Sequence, residues 1–173
     1  EEYLEFITCY KNEDSYLVLL DIYSNLYKIF YIFSKERFWK DVWPKFKEHM
    51  KEPFKSNFSR LGWETKRDEN INDKLLRSLA IAYLSFAEDK EIIKQCISRL
   101  NSRIDPDLKS VVYSVAASNG KPSVYRRLLK KYSATEDNEE KMYLLISLYK
   151  TKDKKFLKSS LGFALSKNVR DQD

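Results

Sequence analysis

Phe58-Ser59-Arg60-Leu61-Gly62-Trp63-Glu64, followed by Asp73-Lys74-Leu75-Leu76-Arg77-Ser78, decides how the 173 residues divide. The first run holds one of three glycines and one of three tryptophans. Gly62 ends a helical pattern, where a left-handed C-cap is expected, and Trp63 can fold back onto the helix just finished. The second run opens a helix expected from about Asp73 to Ala87, with Leu75, Leu76, Leu79, Ala82, Tyr83 and Phe86 facing inward. Residues 61–72 therefore read as an elbow. Residues 1–60 form an aromatic-rich helical region before it, and residues 73–173 follow.

Beyond the elbow the chain repeats itself. Leu76-Arg77-Ser78 returns as Leu108-Lys109-Ser110, 32 residues later, and a corresponding helix is expected near Met142. Short polar turns fall at Glu88-Asp89-Lys90, Asn119-Gly120-Lys121-Pro122 and Thr151-Lys152-Asp153. Second helices follow, with Ile92, Ile93, Cys96 and Leu100, then Val124, Leu128, Leu129 and Tyr132, then Phe156, Leu157, Leu161 and Leu165 at helical spacing. Asp105-Pro106 is a helix start, with Asp as N-cap and Pro in the first position, and Gly120 is a stop. Three helical hairpins at a period near 33 predict an all-α fold, an α-solenoid of HEAT- and armadillo-like hairpins in an α-α superhelix. Each hairpin there buries its apolar face against its neighbours.

Ahead of the elbow, Tyr3, Leu4, Phe6, Ile7 and Tyr10 mark a short helix. The polar break Lys11-Asn12-Glu13-Asp14 leaves Asp14 or Ser15 as N-cap of the next. That helix, about Ser15 to Phe33, is apolar on nearly every side, so a central, covered position is expected, with neighbours that lie partly outside these residues. Asp21, Asn25 and Lys28 in its interior argue against a membrane span, because charges in hydrocarbon cost several kcal/mol. A third segment starts at Ser34 or Lys35 and buries Phe38, Trp39, Val42, Trp43 and Phe46. Pro44 should kink it or restart it, and helix resumes after Pro53.

Glycine and proline, three and four in number, fall well below the usual about 7% and about 5%, which fits few turns and long helices. The net charge of +6 comes from 23 Lys and 9 Arg against 26 acids dispersed among them, the pattern of a solvated helical surface. Cys9 and Cys96 make no disulfide framework. Each reads as a small buried hydrophobe in a reducing, cytoplasmic setting, and a single pairing between them stays open.

Catalytic machinery is not recognisable. The one histidine, His49, cannot supply a His-Glu-x-x-His zinc site, and Gly62, Gly120 and Gly162 are isolated rather than gathered in a phosphate loop. Basic clusters occur at Arg126, Arg127, Lys130 and Lys131, and at Lys150, Lys152, Lys154, Lys155 and Lys158. Glu136, Asp137, Glu139 and Glu140 meet a helix N-terminus. If one cation meets a peptide carboxylate, Lys150 and Arg170 are the candidates.

Taken in order, several runs resemble the C-terminal helical domain of M1-family zinc aminopeptidases, nearer the cytosolic puromycin-sensitive branch than the secreted ones. They are Tyr10-Lys11-Asn12-Glu13-Asp14-Ser15-Tyr16, Leu61-Gly62-Trp63-Glu64, Leu75-Leu76-Arg77, and Ile104-Asp105-Pro106-Asp107-Leu108-Lys109 with Val112-Tyr113. The last comprises Glu140-Lys141, Leu161, Leu165-Ser166 and Val169-Arg170-Asp171-Gln172-Asp173. Leu61, Gly62, Trp63, Leu76, Arg77, Pro106, Leu108 and Tyr113 are the structural signature. The resemblance implies a fragment of a larger protein, a peptidase that uses Zn2+ held in upstream domains. The fragment itself would be inactive and without metal, would close over the active site and would form the peptide chamber. The implied partners are the upstream catalytic domain of the same chain and peptide substrates, not nucleic acid or membrane. The alternative is a stand-alone helical-repeat scaffold that binds protein or nucleic acid.

Overall fold

Few turn-forming residues leave the chain little but helix to build. The computed structural model describes residues 2–170 and holds ten α-helices and one 3-10 turn among them, with no strand. The Asp171-Gln172-Asp173 end of the closing run and the side chain of His49 lie outside the described residues. The chain falls into two compact units, Glu1–Asp89 and Lys90–Asp173.

The first unit comprises α1 (Glu2–Thr8), α2 (Tyr16–Phe33), α3 (Trp39–Met50), α4 (Glu52–Leu61) and α5 (Ile71–Phe86). Helix α2 starts where expected, yet its cap comes from afar. Ser15 occupies the N-cap position without a side-chain bond, and the Tyr16 N–H donates to Asn72 Oδ1 at 2.8 Å while Asn72 Nδ2 donates to the Asp14 carbonyl. Asn57 Nδ2 adds a bond to the Glu13 carbonyl at 2.7 Å. One orphan donor of the helix is thus satisfied by tertiary contact, and the polar break is held by α4 and α5.

Within the described residues helix α2 is covered on one side only. Leu19, Ile22 and Leu26 are buried and α2 packs against α5, but Leu17, Tyr27, Tyr31 and Ile32 are exposed. By length and composition α2 is also the one helix among the described residues long and apolar enough to cross a membrane. The third segment begins later than expected, because residues 34–38 form turns and α3 starts at Trp39. Helix α3 runs through Pro44 rather than ending there. Trp39 and Phe46 are buried as expected, whereas Phe38 and Val42 stay exposed; Phe38 lies ahead of the helix, off its inward face. An aromatic core fills the space behind. Phe30 meets Trp43 and Phe86 at 5.0 Å, and Tyr83 lies face to face with Phe54 at 3.8 Å.

Helix α5 starts two residues before Asp73, because Asn70 Oδ1 accepts the Asp73 N–H at 2.8 Å and so fixes the N-cap. Leu75 falls on its exposed side, while Leu76, Leu79 and Tyr83 are buried. Its C-terminal turn carries Glu88 at φ 59°, in the left-handed region usually given to glycine. The Asp89 N–H closes back on the Leu84 carbonyl at 2.8 Å. Glu88 holds that conformation while its carboxylate pairs with Lys47 and accepts from Trp43 Nε1.

The second unit comprises α6 (Lys90–Arg99), a 3-10 turn at Pro106–Leu108, α7 (Lys109–Asn119), α8 (Pro122–Ala134), α9 (Asn138–Leu148) and α10 (Lys154–Ala164). Helices α6, α8 and α10 begin at 90, 122 and 154, two steps of 32 residues. The first helices keep a looser spacing. Helix α9 begins at Asn138 rather than near Met142, because Asp137 caps it by accepting the Glu139 and Glu140 N–H groups. Helix α7 packs against α6, α8 and α9, and is the centre of this unit. Gly120 is extended, not left-handed, and is required for space: a Cβ there would stand 2.5 Å from the Ala116 carbonyl oxygen and 2.6 Å from Val124 Cβ. On α10, Leu157, Leu161 and the following Leu165 are exposed, against the inward face expected of them. Cys96 is buried and free, its thiol pushed up to about 12 by burial. Cys9 is free and exposed, so it is not the buried hydrophobe expected.

Candidate functional site

Gly62 ends α4 with its N–H donating to the Phe58 carbonyl at 2.8 Å. Its φ of 66° has the expected sign, but its ψ of −163° lies outside the left-handed helical region. That corner of backbone space is open essentially to glycine alone. Trp63 turns back so that its ring meets Phe58 edge-on at 5.2 Å. The reversal aims the Leu61 and Gly62 carbonyls at α5, where Arg77 waits. Arg77 Nε donates to the Gly62 carbonyl at 3.0 Å, and Nη2 reaches the Leu61 carbonyl at 3.4 Å. The guanidinium is 0% exposed and makes a two-pronged pair with Glu69, one prong from Nη1 to Oε2 at 2.7 Å. A planar fork fits this carboxylate and the carbonyls at once, which a lysine ammonium cannot do. Three of the signature residues thus form one clamp, Leu61, Gly62 and Arg77, while Trp63 packs on Phe58. Glu69, which completes it, was missed from sequence. Its only signal is an acid in the elbow eight residues before a buried-side arginine.

A second cluster joins α7 to α9. Asp137 caps α9 and so turns Glu140 toward α7, where Tyr113 donates its hydroxyl to Glu140 Oε1 and Lys109 Nζ donates to Oε2 at 2.6 Å. Burial by itself raises the Glu140 pKa; the hydrogen bonds from Lys109 and Tyr113 outweigh it and leave the carboxyl below its ordinary value. Burial, then the bond to Glu140, push the Tyr113 phenol far up. An acid held ionised and a phenol held protonated do not exchange protons near neutrality. The cluster is a clasp between helices. Pro106 and Leu108 set its approach: Asp105 Oδ1 accepts the Asp107 N–H at 3.0 Å, and Leu108 is buried where α7 begins.

Stability should follow these carboxylates. Asp73, lowered chiefly by its hydrogen bond from Arg60, and Glu140 both have folded pKa values below their unfolded ones. Their contribution is fully present above the unfolded values near 4 and is lost as pH falls through the lowered ones. The melting temperature is expected to hold from about pH 7 to about pH 5 and to drop below about pH 4. Glu140→Gln should make that acid limb shallower in a melting series.

At the α7–α8 and α9–α10 turns a cleft of about 350 Å³ opens between Lys121, Pro122, Tyr125, Lys152 and Phe156. Tyr125 and Phe156 stack at 4.5 Å as its floor. Its one carboxylate, Asp153, is engaged as the α10 N-cap, so the cleft holds no acid–base pair. Lys150 is exposed in the turn after α9, and Arg170 is exposed beyond α10. Neither lines this cleft. Among the described residues no three of His, Cys, Asp and Glu gather into a metal site. The described residues therefore do not fit a bound zinc ion.

The ERAP1-like C-terminal domain family matches residues 1–173. Aminopeptidase M1 of Arabidopsis thaliana is 26% identical over 98% of this chain and 20% of its own length. Aminopeptidase M1-A of Oryza sativa subsp. japonica is 28% identical over the same shares. Alanine/arginine aminopeptidase of Saccharomyces cerevisiae is 25% identical over 99% of this chain and 21% of its own. The chain thus spans about one fifth of the curated relatives it matches. With a family match from the first residue to the last, the chain belongs to the ERAP1-like C-terminal domain family.

Proposed function

We propose that the chain serves as a non-catalytic domain of a larger zinc-dependent M1 aminopeptidase, which removes N-terminal residues from peptides. In this reading it caps the active site and forms part of the peptide chamber. The observation that carries the reading is the family match over all 173 residues, joined to relatives named as aminopeptidases that are about five times as long. The metal and the reacting groups belong to the catalytic domain, which is the first partner; peptide substrates are the second. The steady 32-residue step of α6, α8 and α10 supports a solenoid whose surface carries the remote contacts. Contacts away from the scissile bond raise turnover by positioning the substrate, and movement of such a domain gates entry and release. Lys150 and Arg170 are proposed to meet the peptide carboxylate. A cytoplasmic setting belongs to the same proposal and is supported by two free cysteines.

The test separates long substrates from short ones. In an aminopeptidase carrying this domain, Lys150→Glu with Arg170→Glu is expected to raise KM for a decapeptide about tenfold, the loss of roughly 1.4 kcal/mol of binding. KM for an aminoacyl anilide, which ends short of the chamber, should change much less. Equal effects on both substrates would remove the chamber role. A steep salt dependence of oligonucleotide binding would instead favour the scaffold alternative.

A further inference from the structure

Helices α1 and α2 enclose a groove that neither the clamp nor the clasp uses. Phe6, Ile7, Tyr10, Leu17, Val18 and Asp21 line an open cavity of about 340 Å³. Phe6 and Leu17 stand 57% and 72% exposed at its lips. Leu17, Asp21, Lys28, Tyr31 and Ile32 share one face of α2 by helical spacing, and all five are exposed. The face is apolar at both ends and charged in the middle. Asn25 sits beside both charges: its Nδ2 donates to Asp21 Oδ2 at 3.0 Å, and Lys28 Nζ donates to its Oδ1 at 3.3 Å.

We propose that this groove and face dock one amphipathic helix, supplied by another part of an M1-type aminopeptidase polypeptide, with a cation of that helix set against Asp21. The proposal rests on the family reading above. Three observations select the occupant. The exposed apolar residues flank charges along a helix axis, a pattern that a second helix laid alongside can match residue for residue. Hydrocarbon cannot match it, because Asp21 and Lys28 would both enter it at a cost of several kcal/mol. Asp21 is the charged residue that lines the groove, so a basic partner is preferred over an acidic one. Finally, the match spans 20% of two relatives, which leaves about four fifths of such a polypeptide to provide the helix at high effective concentration.

Two designed 14-residue helical peptides, one of Leu and Lys and one of Leu and Glu, provide the probe. Each is titrated against the 173-residue chain by fluorescence anisotropy. The Leu/Lys peptide is expected to bind at least about tenfold more tightly than the Leu/Glu peptide, although the chain carries a net charge of +6. Leu17→Glu should weaken it at least about tenfold, and Asp21→Lys should reverse the order of the two peptides. Both positions are exposed, and unchanged circular dichroism will show that the variants fold. Equal binding of the two peptides, or indifference to Leu17→Glu, would overturn the proposal. So would a dimer in sedimentation equilibrium that Leu17→Glu dissolves, since a second copy would then be the occupant. Partition into phosphatidylcholine vesicles that Leu17→Glu abolishes would overturn it in favour of a membrane. None of these readouts depends on peptidase chemistry, so their failure is distinct from failure of the proposed function.

Discussion

Arg77→Ala is expected to destabilise the chain by roughly 3–5 kcal/mol, the usual effect of removing one partner of a buried ion pair. The loss arises less from the attraction removed than from what stays behind. Glu69, with its side chain 3% exposed, would keep a charge in a site that water does not reach. The Gly62 carbonyl would lose its donor as well, loosening the backbone reversal that carries α4 into α5. In a domain of this size that corresponds to a fall in melting temperature of about 10 °C. Arg77→Lys should recover little, since one ammonium cannot span two carboxylate oxygens and two carbonyls. Replacing both partners, as Arg77→Met with Glu69→Leu, should be less damaging than Arg77→Ala alone. If the double replacement proves as harmful as the single one, the stranded charge is not the cause.

Phe54→Ala should cost a comparable amount, about 3–5 kcal/mol, through loss of buried area and the cavity left behind. Phe54 is fully buried and lies nearly parallel to Tyr83, with ring centroids 3.8 Å apart. Tyr83 in turn meets Tyr23 of α2 edge-on at 5.5 Å, so the same ring pair links α4, α5 and α2. Urea denaturation is the suitable measurement. The midpoint should fall while the slope stays near its original value, which marks lost stability rather than an altered unfolded state. Phe54→Leu, which refills part of the space, should fall between the two.

The end of α4 at Gly62 and the starts of α6, α8 and α10 are legible in the sequence because their causes are local. Gly62 announces an end of helix by its lack of a side chain, Trp63 sits one residue beyond it, and the polar turns before α6, α8 and α10 mark the 32-residue step. What escaped was set by partners distant in sequence. Glu69 looked like one more charge in a polar elbow until α5 brought Arg77 over it. Glu140 looked like an acid meeting a helix dipole, and its role as acceptor for Tyr113 and Lys109 depends on α7 lying alongside α9. Apolar spacing also overstated burial. Leu17, Leu75 and Leu161 fit the helical period yet stand in solvent, because periodicity gives the face of a helix and cannot say whether a neighbour covers it. The candidate site was the least legible feature. Charge alone marks Lys150 and Arg170, and the cleft at the nearby turns is lined by Lys121 and Lys152.

The proposed role is that of a helical domain that supplies structure and substrate contacts to a larger aminopeptidase, while the chemistry belongs elsewhere. The direct measurement is hydrolysis of an aminoacyl anilide by the purified 173-residue chain, with zinc added and with a chelator present. The account predicts a well-folded helical protein whose rate stays at the uncatalysed background in both conditions. Zinc-dependent turnover above that background would contradict it.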